Sequence, residues 1–218
     1  MKIVAFVPVK LNNERCPGKN TRQLGGIPLI TRIFNTLQKV NGIDESYCFC
    51  SQEEVEQYLP SNIKRLERSE ELDKSNTGIL EVFKSFADKI DSDYYICAHA
   101  TAPFISSESI QKGIDAVLSG EYDSAFSVTE NREFLWQGIK PYLMPNYNPS
   151  DIPRTQDMTP FYIETCAFFI YKKEHILNLN KRVGNNPFLV SVSKFEAIDI
   201  DYPEDFLIAE AIEKVITK

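Results

Sequence analysis

The sequence predicts an α/β protein, a three-layer α/β/α sandwich with a mainly parallel, Rossmann-like sheet, in one domain over residues 1–218. Up to residue 130, strand-like segments alternate with amphipathic helical segments, which is the order that parallel strands joined by helices require. Residues 2–9 are apolar almost throughout, as expected for a strand that is buried on both faces of such a sheet. Ligands of these folds bind beyond the carboxyl ends of the strands, where we expect the functional residues.

The first half of the chain continues this alternation after the first strand. Residues 28–40 place apolar side chains at helical spacing, and residues 77–90 do so again, with Ile79, Val82 and Phe83 on one face. The other predicted elements of this half are a strand over 46–51, a helical turn over 55–60, a strand over 63–68 and a strand over 94–100. These segments are expected to supply the centre of the sheet.

The second half begins in the same way and then changes character. Ser106 and Gly120 bracket a predicted helix as an N-terminal cap and a C-terminal stop, and a strand follows over 124–130. Residues 131–160 contain five prolines and the only tryptophan, Trp136, which predicts an arm or insertion rather than a regular helix. The remaining predicted elements are strands over 161–174, 188–194 and 196–201 and a closing helix over 203–217.

The composition restricts the possible partners. A formal net charge of −7 disfavours binding to nucleic acid and to anionic membranes, and no apolar stretch approaches the roughly 20 residues that span a bilayer. The five cysteines form no CxxC pair and four lie in apolar runs, which favours free thiols in a reducing compartment. We therefore expect a cytoplasmic protein. Cys16 lies in a polar loop that allows it to be exposed.

A basic loop follows the first strand. Between Lys10 and Arg22 it carries four cations against a single acid, Glu14, together with a Pro-Gly turn. Glycine allows the backbone to approach a phosphate closely, and fixed cations beside it would stabilise the charge on a departing pyrophosphate. The loop contains neither a Walker motif nor a dinucleotide fingerprint, which disfavours a P-loop kinase and a nicotinamide enzyme. The alternative is a solvated loop with scattered charges.

Two aspartates precede the closing helix. In the predicted strand over 196–201, Asp199 and Asp201 are two residues apart and therefore point to the same face. A pair of carboxylates at the end of a strand is a hard oxygen site suited to Mg²⁺, which would act there as a Lewis acid and a template. The alternative role of Asp201 is to cap the helix that begins at Pro203.

Four blocks of the sequence resemble the acylneuraminate cytidylyltransferase family, the CMP-sialic acid synthetases, with the CMP-Kdo synthetases as close relatives. The blocks are FVPVKLNNERCPGKNTRQLGGIPLI, RSEELDKSNTGILEVF, AHATAPFIS and IDIDYPEDFLIAE, and they extend over nearly the whole chain. The last is the most specific, because it joins the carboxylate pair to a Pro-Glu-Asp-Phe helix start. The resemblance implies a sandwich of the nucleotide-diphospho-sugar transferase type and a homodimer in which the arm packs across the subunits.

The resemblance also implies which residues hold the nucleotide. These residues are Lys10, Arg15, Lys19, Asn20, Arg68, Ser75 and Thr77. Lys10, Arg15 and Lys19 would hold the triphosphate, and Lys10 stands where the family has an arginine, which keeps the charge but loses a forked contact. Ser75 and Thr77 are alternatives for the hydroxyl that contacts the base.

The segment RTQDMTPFYIETCAFFI is similar to the sugar-pocket segment of the family. The residues implied to bind the acceptor are His99, Thr101, Arg154, Gln156, Tyr162, Thr165 and Phe169. Arg154 would supply the cation that the carboxylate of an acidic sugar requires. Thr165, Cys166 and Phe169 replace the Asn, Gly and Tyr of the family, so the nucleotide half of the pattern is better kept than the sugar half. A hydrogen-bonded structural role is the alternative for His99.

These implications predict a magnesium-dependent enzyme that transfers CMP from CTP to an acidic, sialic-acid-like sugar and releases pyrophosphate, for the biosynthesis of a surface polysaccharide or glycan. Asp199 and Asp201 would hold the metal, and Lys19, Asp201 and Arg15 would be the catalytic residues. One alternative is a cytidylyltransferase for a different acceptor, such as a Kdo-like sugar or a sugar or polyol phosphate. The other is a catalytically silent nucleotide-binding relative.

Overall fold

The computed structural model describes residues 1–216, and its centre is a seven-stranded sheet. In chain order the elements are β1 (Ile3–Pro8), β2 (Gln23–Leu24), β3 (Ile27–Pro28), α1 (Leu29–Leu37), β4 (Glu45–Cys50), β5 (Lys64–Glu67), α2 (Ile79–Lys89), β6 (Tyr94–Ala98), α3 (Ser107–Leu118), β7 (Ser124–Asn131), β8 (Trp136–Ile139), β9 (Tyr142–Pro145), β10 (Phe161–Lys172), α4 (Lys173–Leu177), β11 (Pro187–Ser191) and α5 (Pro203–Ile216). Short 3₁₀ segments lie at Glu53–Tyr58, Glu70–Asp73 and Thr155–Asp157.

The sheet has the strand order β11-β7-β10-β6-β1-β4-β5. Its neighbouring strands are parallel except where β10 pairs with β6 and β7, which it does in the antiparallel sense. The carboxyl ends of the parallel strands therefore meet at one edge, as the alternation of strands and helices predicts. The predicted α/β class with a mainly parallel sheet is confirmed.

Helices cover both faces of the sheet and give the predicted three layers. Along β1, Ala5 and Val7 pack with α1, α3 and α5, whereas Val4 and Phe6 pack with α2 and α4. This division follows from the period of two along a strand, and it explains why β1 has to be apolar on both faces. The rings of Phe6 and Phe86 stack at 4.0 Å between centroids in the second layer.

Local signals place most element boundaries correctly. The hydroxyl of Ser106 accepts from the backbone N–H of Ser109 at 3.1 Å and caps α3, and Gly120 follows that helix with φ +82°. The predicted helical turn over 55–60 is the first 3₁₀ segment. Residue 217, the last of the predicted closing helix, lies outside the described residues.

The predicted strand over 196–201 is wrong, because this segment forms a turn followed by extended chain without a partner in the sheet. Ile200 is fully buried and its N–H donates to the carbonyl of Thr101 at 2.8 Å, while Glu196 accepts hydrogen bonds from the hydroxyls of Ser106 and Ser109. The alternation of apolar and acidic residues thus reflects an anchored loop with Ile200 facing the core. It does not reflect a paired strand.

The predicted arm forms a small ribbon apart from the main sheet. Within residues 131–160, β8 pairs antiparallel with β9, and neither strand joins the seven-stranded sheet. Gly138 has φ +122°, and a Cβ there would lie 2.2 Å from the carbonyl oxygen of Tyr142. Glycine is therefore required for the close approach of the two strands.

Candidate active site

A cavity of about 680 Å³ opens beyond the carboxyl ends of β1 and β6. Its walls come from the basic loop after β1, residues 68–82, the turn after β6, the bulged part of β10 and the segment before α5. This is the edge of a parallel sheet at which ligands bind. The cavity therefore lies where the sequence analysis places the functional residues.

The cavity brings together residues that are distant in the chain. The predicted site residues that line it are Lys10, Arg15, Lys19, Asn20, Arg68, Ser75, Thr77, His99, Thr101, Asp199 and Asp201. They include every residue predicted for the nucleotide and for the metal. The order of the strands explains this, because β1, β4, β5 and β6 are neighbours and their following segments share one edge.

Asp201 lies between two cations of the basic loop. Nζ of Lys19 donates to Oδ1 of Asp201 at 2.9 Å and to the carbonyl oxygen of Ile200 at 2.8 Å. Arg15 donates to the same Oδ1 at 3.0 Å, and its other terminal nitrogen lies 2.9 Å from Oδ2. Lys19 is only 8% exposed, so the pairing with Asp201 compensates for the loss of water around its charge. The predicted phosphate cations and a predicted metal ligand thus meet at one point.

Asn20 holds the basic loop in shape. Its side-chain amide donates to the backbone carbonyl of Lys10 at 2.9 Å, and its backbone carbonyl accepts from the N–H of Ile30 at 2.9 Å. The loop is further closed by Cys16, which is 3% exposed and packs in the core. Cys16 is therefore buried and not exposed to solvent, because its side chain belongs to the apolar cluster that includes residues of α1 and β1.

Asp199 and Asp201 have the chemistry that a magnesium ion needs. Burial raises the pKa of Asp199 and the charge of Asp201 raises it further, while a hydrogen bond with Thr101 opposes this shift. Such a carboxylate gains from a nearby cation. Among residues 1–216, no cluster of three or more metal-ligating side chains exists. Asp199 and Asp201 both line the cavity, and carboxylate oxygens are ligands of the kind that Mg²⁺ takes together with water and phosphate oxygens.

The other end of the cavity is built around Arg68. This side chain is almost fully buried, it pairs with Asp73, and its guanidinium lies 5.9 Å from the centre of the Phe49 ring. Asp73 also accepts from the hydroxyl of Ser51 at 2.6 Å, and its carbonyl accepts from Nζ of Lys10 at 3.1 Å. Asp73 therefore links two residues that are predicted to bind the nucleotide, Arg68 and Lys10.

Both alternatives for the base-contacting hydroxyl line this end of the cavity. The hydroxyl of Thr77 donates to the carbonyl of Glu71 at 3.2 Å, and the N–H of Thr77 donates to the carbonyl of Lys74 at 3.1 Å. Ser75 is exposed in the same loop. The contacts of Thr77 brace the loop, and the choice between Ser75 and Thr77 stays open.

His99 lines the cavity on the turn after β6. Burial lowers its pKa to about 4, and the positive charges of Arg182 and Lys19 act in the same direction. Its Nε2 lies 3.5 Å from Sγ of Cys97, and its backbone N–H donates to the carbonyl of Ala167 at 3.0 Å. His99 is therefore able to exchange hydrogen bonds with a ligand but carries no charge at neutral pH.

Five residues predicted to bind the acceptor lie outside this cavity. They are Arg154, Gln156, Tyr162, Thr165 and Phe169. On the exposed arm, Arg154 forms an ion pair with Asp157 at 2.7 Å. Gln156 lies in the 3₁₀ segment Thr155–Asp157, which Arg154 directly precedes. Thr165 is buried and donates to the hydroxyl of Ser127 at 2.7 Å.

The last two of these residues lie on β10. Tyr162 is 46% exposed near the start of the strand, next to the arm. Phe169 is 1% exposed and stacks on Phe126, with 5.9 Å between the ring centres. An alternating strand puts side chains on both faces, and Phe169 belongs to the face that packs on α2.

Comparison with protein families decides the classification. A family model described as cytidylyltransferase matches residues 4–182, which is most of the chain. The chain belongs to the cytidylyltransferase family. This match, together with the N-acylneuraminate relatives described next, confirms the resemblance found in the four sequence blocks.

Curated relatives of this cytidylyltransferase are named for N-acylneuraminate or for N,N'-diacetyllegionaminic acid. N-acylneuraminate cytidylyltransferase A of Danio rerio is 25% identical over 95% of the chain and 50% of its own length. The N-acylneuraminate cytidylyltransferase of Oncorhynchus mykiss is 23% identical, again over 95% of the chain and 49% of its own length. The chain thus spans about half the length of these two relatives. CMP-N,N'-diacetyllegionaminic acid synthase of Legionella pneumophila is 26% identical over 97% of the chain and 96% of its length.

Two solved structures share the fold of this cytidylyltransferase. A structure of CMP:2-keto-3-deoxy-manno-octonic acid synthetase complexed with CTP superimposes with a TM-score of 0.72, at 14% identity, over 100% of this chain and 99% of the other. 4-Diphosphocytidyl-2C-methyl-D-erythritol synthase from Anaerococcus prevotii gives 0.69 at 15% identity, over 98% and 96%. At these identities the likeness concerns the fold.

Sequence reasoning about this cytidylyltransferase missed three residues at the cavity or beside it. Asp73 lies five residues after Arg68 in the block that resembles the cytidine segment, so an acid near a buried arginine was the available signal. Cys166 lines the cavity with φ +56°, at a register shift of β10 against β7. The signal for it was a cysteine where the family has glycine. Arg182 had no sequence signal.

The ribbon of the arm presents apolar side chains to solvent. Trp136, Ile139, Tyr142 and Met144 are 58%, 84%, 81% and 72% exposed. Exposed apolar groups that lie together on one element mark surfaces that other molecules cover. Within residues 1–216, none of the helices combines the length and apolar character that crossing a bilayer requires.

Proposed function

We propose that this chain transfers CMP from CTP to an acidic, sialic-acid-like sugar and releases pyrophosphate. One observation carries the proposal: the basic loop and the two aspartates line the same cavity, and Lys19 touches Asp201 at 2.9 Å. Transfer of a nucleotidyl group needs cations for the leaving pyrophosphate and carboxylates for a metal at the same triphosphate.

Lys10, Arg15 and Lys19 would hold the β- and γ-phosphates of CTP. Lys19 and Arg15 already converge on Asp201, so their charges are positioned before the nucleotide arrives. Lys10 would reach the same phosphates from its place beside Asp73. Arg68, at the other end of the cavity, would then face the cytosine or the ribose.

Asp199 and Asp201 would hold Mg²⁺. When bound, this ion would polarise the α-phosphate and orient the attacking hydroxyl. The contacts of Asp201 with Lys19 and Arg15 hold its carboxylate in place at the cavity. Phosphate oxygens would give the two cations new partners, and the oxygens of Asp201 would then be released for the metal.

The acceptor would be a sugar that carries a carboxylate beside its anomeric hydroxyl. N-acylneuraminate and diacetyllegionaminate are named for relatives that align over 95% and 97% of this chain. A 3-deoxy-manno-octulosonate cytidylyltransferase 2 of Hydrogenovibrio crunogenus aligns over 59%. The longer alignments favour the larger, sialic-acid-like sugars.

Pyrophosphate release from CTP and Mg²⁺ tests the proposal. The acceptor panel consists of N-acetylneuraminate, diacetyllegionaminate, 3-deoxy-manno-octulosonate and 2-C-methyl-erythritol 4-phosphate. We expect turnover with at least one of the two sialic-acid-like sugars and the slowest turnover with the phosphorylated polyol. Turnover with the phosphorylated polyol alone would show that the acceptor is a phosphorylated compound and not an acidic sugar. No turnover with any acceptor, together with CTP binding that ignores Mg²⁺, would show a silent relative.

We also propose that the protein is a cytoplasmic homodimer that pairs through the arm. The five cysteines are free thiols, which supports a reducing compartment. The apolar side chains of the ribbon support burial against a second copy. In sedimentation experiments the parent is expected to be a dimer and Trp136→Ser to shift toward monomer, since a central tryptophan often dominates an interface. A monomeric parent would contradict this proposal.

A further inference from the structure

Arg22 is the one cation of the basic loop that does not line the cavity. Its side chain contacts α5 instead. The guanidinium carbon lies 3.9 Å from the centre of the Phe206 ring, and a terminal nitrogen donates to Oε1 of Glu210 at 3.2 Å. Phe206 and Glu210 are four residues apart on the helix and therefore share one of its faces. Arg22 thus joins the basic loop to the helix that follows the two aspartates.

On the loop side, Arg22 belongs to the same tight turn as Lys19. The backbone N–H of Arg22 donates to the carbonyl of Gly18 at 3.0 Å, across Lys19. The carbonyl of Arg22 accepts from the N–H of Leu29 at 3.2 Å, where α1 begins. The position of Arg22 therefore determines the position of the backbone from which Lys19 reaches Asp201.

On the helix side, Asp205 extends the contact to Asp201. Oδ2 of Asp205 accepts from the backbone N–H groups of Asp201 at 2.9 Å and of Tyr202 at 2.7 Å. Asp205 directly precedes Phe206, on which the guanidinium of Arg22 stacks. The basic loop and the aspartate segment are thus connected a second time, by contacts that do not pass through the cavity.

We propose that Arg22 is a positioning residue for nucleotidyl transfer, which keeps Asp201 in place relative to Lys19 when CTP binds. The inference rests on the proposed function. In this structure Lys19 and Arg15 hold Asp201 directly. Phosphate oxygens would compete for both cations, so these ion pairs would weaken when the metal needs the carboxylate. The contacts of Arg22 lie outside the cavity and would remain.

The stack on Phe206 explains why the position needs an arginine. The side chains of Arg22 and Glu210 are 43% and 40% exposed, and an ion pair between exposed groups restrains little by itself. Phe206 is fully buried, so its ring is a fixed platform for the planar guanidinium. A lysine would keep the charge but lose the planar stack. We therefore expect Arg22→Lys to be intermediate between the parent and Arg22→Gln.

A second junction on the same helix provides a matched control. Arg32 pairs with Glu213 and donates to the carbonyl of Leu24 at 3.0 Å, so it also joins α5 to the chain that follows the basic loop. Glu213 lies about two turns beyond Asp205, away from the start of the helix. Glu213→Gln therefore weakens the packing of α5 without touching the contacts that lead to Asp201.

Calorimetric titration with CTP, in EDTA and in saturating Mg²⁺, tests the proposal together with kcat for pyrophosphate release. We expect Arg22→Gln to bind CTP in EDTA within about threefold of the parent. The gain in CTP affinity from Mg²⁺ should fall about threefold to tenfold, and kcat about tenfold, as when a metal ligand loses its support. Glu213→Gln should unfold at a lower urea concentration but keep the Mg²⁺ gain and kcat within about twofold.

Two results would overturn the assignment. An Arg22→Gln protein with the Mg²⁺ gain and the kcat of the parent would show that Arg22 does not position Asp201. Equal losses in Arg22→Gln and Glu213→Gln would show that both arginines only anchor α5. A parent without turnover and without any gain from Mg²⁺ would instead refute the proposed function, and the inference with it.

Discussion

The two halves of the cavity differ in how far their parts are spread along the chain. The half proposed for the nucleotide consists of a loop after β1 and a segment after β5, and both follow parallel strands directly. The half proposed for the acceptor draws on the turn after β6 and the shifted part of β10. All residues predicted for the first half line the cavity, whereas only His99 and Thr101 of the second set do.

This difference shows what a strand end contributes to a site. The position of a residue just beyond a parallel strand is set by that strand. The sequence of the basic loop and the order of the strands in the sheet are therefore enough to place Lys10, Lys19 and Arg68 at the same edge of the sheet. Residues on an antiparallel strand with a register shift depend on where the shift occurs. The predictions that follow separate these two halves by function, from the largest expected effect to the smallest.

Asp201→Asn should have the largest effect, because Asp201 lies where the two halves meet. We expect turnover to fall by about a hundredfold to a thousandfold, the usual loss when one preorganised charged group at the reacting phosphate is removed. The measurement is pyrophosphate release with saturating CTP and acceptor. Glu204→Gln, an exposed residue in the first turn of α5, is the matched control and should keep its activity. Equal losses in both variants would show that the end of α5 has been disrupted instead.

Asp73→Asn should act on the nucleotide half alone. It leaves the buried guanidinium of Arg68 without its charged partner, so we expect the KM for CTP to rise about tenfold. The free energy of unfolding should fall by about 1–3 kcal/mol, measured in urea. Asp91→Asn, which removes an exposed ion pair with Lys173, should leave the free energy of unfolding close to that of the parent. An increase in the acceptor KM as large as that for CTP would contradict the division of the cavity.

Asp199→Asn should stabilise the fold. The folded protein raises the pKa of Asp199, so the charged form is disfavoured, and stability is lost as the pH rises through the folded pKa. We expect the variant to exceed the parent in unfolding free energy by about 0.5–2 kcal/mol at neutral pH, the common gain when a strained functional group is removed. The difference should shrink as the pH falls toward the ordinary pKa of 3.8. A variant that is less stable than the parent at pH 7 would show that Thr101 and Asp199 form a net stabilising bond.

Cys166→Gly should have the smallest effect. A cysteine at φ +56° is in a backbone region that favours glycine, and the strain of about 1–2 kcal/mol is partly offset by the greater freedom of glycine in the unfolded chain. We expect the unfolding free energy to stay equal or to rise by up to about 1 kcal/mol, measured in urea. Cys166→Val should lower it, because a branched side chain fits this backbone poorly. The reverse order would mean that packing of the thiol outweighs the strain.

The sequence predicted the α/β class, most of the element order and the residues of the basic loop and of the segment after β5 that line one cavity, because these depend on periodicity and on strand ends. It did not predict the loop over 196–201, where Ile200 is buried by an anchored turn that imitates the alternation of a strand. It could not place Arg154 and Arg182 relative to the cavity. Their positions depend on the path of the arm and on Asp123, which holds a loop more than 60 residues further along the chain.

The central claim is that the loop after β1 binds the triphosphate at the point where Lys19 meets Asp201. Calorimetric titration with CTP and Mg²⁺ of the parent, Lys19→Met and Lys173→Met tests it most directly. Lys173 pairs with Asp91 at a surface away from the cavity, so its variant removes the same charge elsewhere. We predict that Lys19→Met weakens CTP binding at least about tenfold and Lys173→Met less than about twofold. Equal affinities of the two variants for CTP would contradict the account.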